Sequence, residues 1–174
     1  MDEIVLAAMA KWPNVPAVFG WLRLDARGQW WIKEARLQHE GMAEFFNRNF
    51  SRDGQGRCYV QNGPQKVYVT LDAAPLVARR TPKGWSTLPY DDDVSARAAW
   101  MTPDGVLLLE IGGELAVVDD RDLPALLEEG LAGWDGDMAS LPAMLKLAES
   151  ALPLACDSLP ALLARYGIVA RPKS

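Results

Sequence analysis

One histidine, two cysteines and a few clusters of carboxylates are the residues with which this chain could do chemistry. His39 is the single histidine, so any Ser–His or Cys–His dyad must use it. It stands at an expected helix start, beside Glu40 and before Gly41. That is the position of an ordinary helix-end histidine, and a general base is the alternative. Glu40 and Glu44 are four apart on one helical face, as paired carboxylates in acid–base sites can be. On an amphipathic helix the better reading is a solvated face. Asp91-Asp92-Asp93, and separately Asp119-Asp120 with Asp122, offer oxygens to Ca²⁺ or Mg²⁺, but neither has the alternate spacing and closing glutamate of a calcium loop. Cys58 and Cys156 with one histidine cannot build a zinc box. Both read as buried, inert thiols. Gly54-x-Gly56 lacks a third glycine and precedes a strand, which argues against a phosphate loop. The sequence therefore assigns no catalytic, cofactor-binding or metal-ligating residue, and no cofactor.

The bulk composition narrows the partners. The 174 residues carry a net charge of −5, which repels nucleic-acid phosphates and anionic membranes. No run approaches the ~20 apolar residues of a membrane span. The start, MDEIVLAAMAKW, has acids where a signal peptide has bases, so the expected setting is a reducing cytoplasm. Seven tryptophans call for a well-specified core, because each buries a large area and needs a partner for its N–H.

The elements that must position these residues follow from periodicity. Residues 2–11 suit a short helix capped by Asp2, with Ile4, Ala7, Ala8 and Lys11 on one stripe, beside Val5 and Met9. Trp12-Pro13-Asn14-Val15-Pro16 forbids further helix and makes a stiff connector. Residues 20–33 read as a hairpin around the turn Asp25–Gly28. Its adjacent Trp30 and Trp31 must point to opposite faces. Met42, Phe45, Phe46 and Asn49 follow helical spacing over 40–50. Strands at 57–61 and 66–71 flank Asn62-Gly63, with Pro64 lengthening the loop beyond two residues. Strands at 76–80 and 85–88 would continue the meander. Asp91–Asp93 break it, and further strands follow at 96–101, 106–111 and 115–118. Leu-Pro-Ala-x-Leu then recurs at Leu123, Leu141 and Leu159 after Asp122, Ser140 and Ser158. Each copy reads as a capped helix start, giving three short helices with leucine stripes.

Residues 20–78 carry a family likeness. Gly28-x-Trp30, Leu37-x-His39, Met42-x-x-Phe45-Phe46, Arg52-Asp53 and Gly56-x-x-Tyr59 belong to it. So do Pro64-x-Lys66-Val67-x-Val69 and Asp72-Ala73-Ala74-Pro75-x-Val77. The run resembles the uncharacterised bacterial family numbered twelve eighty-five among the domains of unknown function. The resemblance implies a fold of repeated β-rich motifs with pleckstrin-homology-like character and a signalling role. It carries over no catalytic residues. The glycine pair Gly112-Gly113 and the three Leu-Pro-Ala starts depart from it.

The expected fold is α+β, with antiparallel hairpins and a meander in two related β-rich units, packed helices and a helical C-terminal third. The units would span 1–90 and 91–174, or form one continuous domain. Two functions stand open. The preferred one is a non-catalytic, signalling-type module that docks a protein partner or a second copy of itself through exposed aromatics or helical leucines. The alternative is a small-ligand sensor or enzyme with a pocket between the two β-rich units.

Overall fold

The computed structural model describes residues 1–89 and 93–174. The chain divides into two compact units, Met1–Pro75 with Gly167–Ser174, and Leu76–Tyr166.

The first unit opens with α1 (Glu3–Lys11). Asp2 occupies its N-cap, but the carboxylate makes no capping bond; it pairs with Arg48 at 3.2 Å instead. Val5 is the buried residue of α1, while Ile4 and Leu6 are exposed, so the buried face is not the Ile4 stripe. Strands β1 (Val18–Leu24), β2 (Trp30–Ile32) and β3 (Ala35–Arg36) lead to α2 (Glu40–Arg48). Strands β4 (Phe50–Arg52), β5 (Cys58–Asn62) and β6 (Gln65–Leu71) complete the sheet, in the order β3-β2-β1-β6-β5-β4. The central pair β1–β6 is parallel, where antiparallel hairpins alone were expected. Pairing on β5–β6 reaches Asn62 opposite Gln65. The loop is therefore Gly63-Pro64 alone, because Gly63 takes a positive φ of 57° that a tight hairpin needs.

Trp30 and Trp31 divide as the alternation requires. Trp30 is buried edge-on against Phe46 and Phe50 and donates its indole N–H to Asn47 at 2.8 Å. Trp31 lies beneath the Arg23 guanidinium and donates to Asp25. The tail returns to this unit: Val169 N–H donates to the Gly56 carbonyl and Leu71 N–H to that of Ala170. At Gly56 the approach is so close that a Cβ would lie 1.8 Å from the Gly167 carbonyl oxygen.

The second unit begins with β7 (Leu76–Thr81) and β8 (Gly84–Leu88), then β9 (Ala96–Met101), β10 (Leu107–Ile111) and β11 (Glu114–Val118). Helix α3 (Leu123–Gly130), strands β12 (Met144–Lys146) and β13 (Ala151–Cys156), and helix α4 (Leu159–Arg165) follow. The sheet order is β12-β13-β9-β10-β11-β7-β8, with β11–β7 and β13–β9 parallel. Strand β7 thus does not extend the meander of β5 and β6. The break at Asp72–Pro75 ends that pairing, and β7 starts another sheet. Both units nevertheless share one plan: an opening hairpin whose first strand pairs in parallel with the last strand of a later meander.

The helical C-terminal third is not observed. Only the first and third Leu-Pro-Ala copies start helices. After the second, Leu145 and Leu147 are buried while Lys146 is exposed, and Leu152 and Leu154 are buried between exposed neighbours. That is the period of two of a half-buried strand, and pairing in the sheet overrides the helix start. Ser140 caps no helix there; its hydroxyl donates to Asp135. Asp122 precedes α3 without a side-chain cap, whereas Ser158 does cap α4, accepting from Ala161 N–H. Leu126 and Leu162 are buried, and Leu123 and Leu127 pack on the core. The leucine stripes are thus interior. Among the described residues no helix is long and apolar enough to cross a membrane.

Candidate functional site

The feature that stands out lies within the first unit. A cleft of about 810 Å³ opens between α2 and the sheet. Its floor is Val18, Trp21 and Leu22 of β1, Ile32 of β2, and Val60 and Val67 of β5 and β6. Its wall is Met42, Phe45 and Phe46 of α2, with Gly41 and His39 at the helix start. Asn62 and Gln65 supply polar groups at the hairpin.

Strict alternation along β1 would send Trp21 and Leu22 to opposite faces. The register explains why both reach the cleft. Val18 pairs with Val67 and Leu22 with Val69, so three residues of β1 stand opposite Tyr68 alone. This bulge passes through Gly20, whose φ of +78° suits glycine. Bulges re-aim side chains in this way, often beside functional sites. Phe19 stacks on Tyr68, with ring centres 4.6 Å apart. Trp21 is left 48% exposed and Met42 41%.

The polar rim has a defined chemistry. Nδ1 of His39 accepts the Met42 N–H at 3.1 Å, capping α2. An imidazole that accepts on Nδ1 carries its proton on Nε2. A Cβ on Gly41 would stand 3.0 Å from Cε1 of His39, so glycine there lets the ring lie over the first turn. Lys33 takes a left-handed backbone, with φ of 54°. Its N–H donates to the Trp21 carbonyl, and its ammonium sits 4.0 Å above the Trp21 ring.

The remaining sequence candidates lie elsewhere. Glu40 and Glu44 are exposed on α2 and do not line the cleft. Asp91 and Asp92 fall outside the described residues. Asp119 is fully buried and bound by Arg121 at 2.5 Å. The Arg121 hydrogen bonds hold its carboxyl below the usual range against the opposing effect of burial. Burial works to raise the Asp122 pKa, but Arg79 at 2.8 Å and the Arg80 N–H at 2.9 Å outweigh it and hold it low. Both side chains are therefore engaged in internal ion pairs. Cys58 is buried as expected, whereas Cys156 is exposed at the end of β13, where the alternation that buries Leu152 and Leu154 stops. The sequence reading missed the cleft residues Trp21, Ile32, Val60 and Val67 as a group. The available signal was Gly20 inside a strand pattern, which marks a bulge.

A mixed-sheet α+β chain of two β-rich units is what the geometry defines. The chain belongs to the family DUF2944, described as "Protein of unknown function (DUF2946)", which matches residues 1–173. No curated protein matches it. Two solved structures are similar. One is a DUF1285 family protein from Silicibacter pomeroyi DSS-3, with a TM-score of 0.52 and 17% identity, covering 93% of this chain and 98% of that one. The other is a DUF1285 family protein from Shewanella baltica OS155, with a TM-score of 0.46 and 18% identity, covering 63% and 91%. The first likeness shows a shared fold. It meets the resemblance drawn from residues 20–78, although the family that covers this chain bears a different number.

Proposed function

We propose that this chain is a non-catalytic binding module of the cytoplasm, whose cleft between α2 and the first sheet captures an apolar ligand. The observation that carries this reading is the cleft itself. Its volume of about 810 Å³ falls in the range of small-molecule sites, which are mostly apolar with a few placed polar groups. The bulge at Gly20 adds Trp21 to an already apolar floor.

The test is a titration with 8-anilinonaphthalene-1-sulfonate. The wild type should bind the dye with a rise in its emission. Val67→Glu, which places a carboxylate on the cleft floor, should lose most of that rise. Equal emission from the two proteins would overturn the reading.

The half-exposed Trp21 and Met42 favour a second reading, in which the cleft docks an apolar segment of a protein partner or a second copy of this chain. Light scattering addresses the second copy: a dimer at micromolar concentration that Met42→Glu dissociates would support it.

A further inference from the structure

We infer that the cleft selects a single-chain amphiphile with an anionic head, of the fatty-carboxylate class. This rests on the cleft being a ligand site and adds which ligand it takes. The apolar lining suits a hydrocarbon chain, which gains by leaving water and makes no directional demand. The charge at the rim decides the head. Among the described residues no carboxylate lines the cleft. Lys33 is seated over the ring of Trp21, a lining residue, and has no ion-pair partner among the described residues.

His39 adds a second donor. Its Nδ1 is engaged by the Met42 N–H, which leaves the Nε2 proton as the donor the ring can offer to a ligand. Lys33 lies in the turn between β2 and β3, against Trp21, and His39 caps α2, so each of these two places brings one donor to the cleft. Hydrogen bonds between such donors and a carboxylate are roughly twice as strong as neutral ones.

The experiment compares three twelve-carbon probes below their micelle concentrations: dodecanoate, dodecanol and dodecyltrimethylammonium. Each is titrated calorimetrically into the full chain. Dodecanoate should bind at least about tenfold more tightly than the ammonium probe, the equivalent of one charge-assisted hydrogen bond. His39→Asp keeps a side chain that caps helices well and puts a negative charge where the donor was. It should weaken dodecanoate about tenfold or more beyond its effect on dodecanol, whose neutral hydroxyl loses a weaker bond and meets no repulsion. Lys33→Met should act in the same direction without touching the helix cap. Equal binding of all three probes would overturn the head-group inference and leave the apolar cleft standing. Binding of none would overturn both. Binding to phosphatidylglycerol vesicles without binding of monomeric dodecanoate would replace the free carboxylate with a membrane surface, and so overturn the inference as stated.

Discussion

The two units share a strand plan and differ in what covers their sheets. In the second unit, sheet residues such as Leu109 and Met101 form one buried cluster with Leu126 and Leu131 of the α3 region and with Leu145 and Leu147. In the first, α2 covers only part of the sheet. Phe46 is buried there, while Phe45 and Met42, which share the cleft wall with it, are half-buried and exposed. The difference teaches where to look for function. A sheet face sealed by its own chain explains its apolar residues through stability. A face left open must explain them some other way.

The sharpest way to break this comparison is to empty both cores. Phe46→Ala in the first unit should cost about 3–5 kcal/mol and Leu145→Ala in the second about 3–5 kcal/mol through the cavities left behind. Urea denaturation followed by tryptophan emission measures both. A loss below about 1 kcal/mol at either site would place that residue outside the core.

Phe45→Ala tests the asymmetry within α2. Phe45 is only half-buried, so its loss should cost about 1–2 kcal/mol. A cost equal to that of Phe46→Ala would mean the cleft wall is structural after all.

Removing Asp119 and titrating with acid tests one ion pair of the second unit. The Asp119 carboxyl titrates below its usual range, so the folded state binds this proton less readily than the unfolded one. The stabilisation is complete above the unfolded carboxylate value of about 3.9 and is lost as the pH falls through the lower, folded one. Urea midpoints measured from pH 6 down to pH 2 should fall less steeply for Asp119→Asn than for the wild type. Parallel curves would remove the ion pair from the account of stability.

The smallest expected effect is at the rim. Met42→Ser should change stability by no more than about 0.5 kcal/mol, as for other exposed positions, while weakening any apolar ligand. A large loss of stability would close the cleft as a candidate site.

Much of the first unit was legible from local signals. Asp25 and Gly28 announced their turn, and the 3.6-residue spacing of Met42, Phe45 and Phe46 announced α2. The α+β class followed from the alternation of turn-bounded strands with that spacing. Three things were not legible. The parallel pairs β1–β6, β11–β7 and β13–β9 join segments distant in sequence, and no local pattern encodes which strands meet. The second Leu-Pro-Ala copy looked like its neighbours. Only the alternation of Leu145 with Leu147 and of Leu152 with Leu154 separates it, and helical spacing shares enough positions with that pattern to mislead. The cleft was hidden because it is made by a bulge, and a bulge is read from register.

The return of the tail to the first unit also governs how this protein is made. Gly56 meets Gly167, its partner across about 110 residues of intervening chain, and closing so long a loop carries an entropic cost that a local pairing avoids. During synthesis the first sheet emerges well before residues 167–170 and lacks these neighbours until that segment follows. Until then the backbone groups of Gly56 and Leu71 that bind the tail stay unmet. A nascent chain of this kind would be vulnerable until that segment emerges, while a chaperone or protease could read the missing closure.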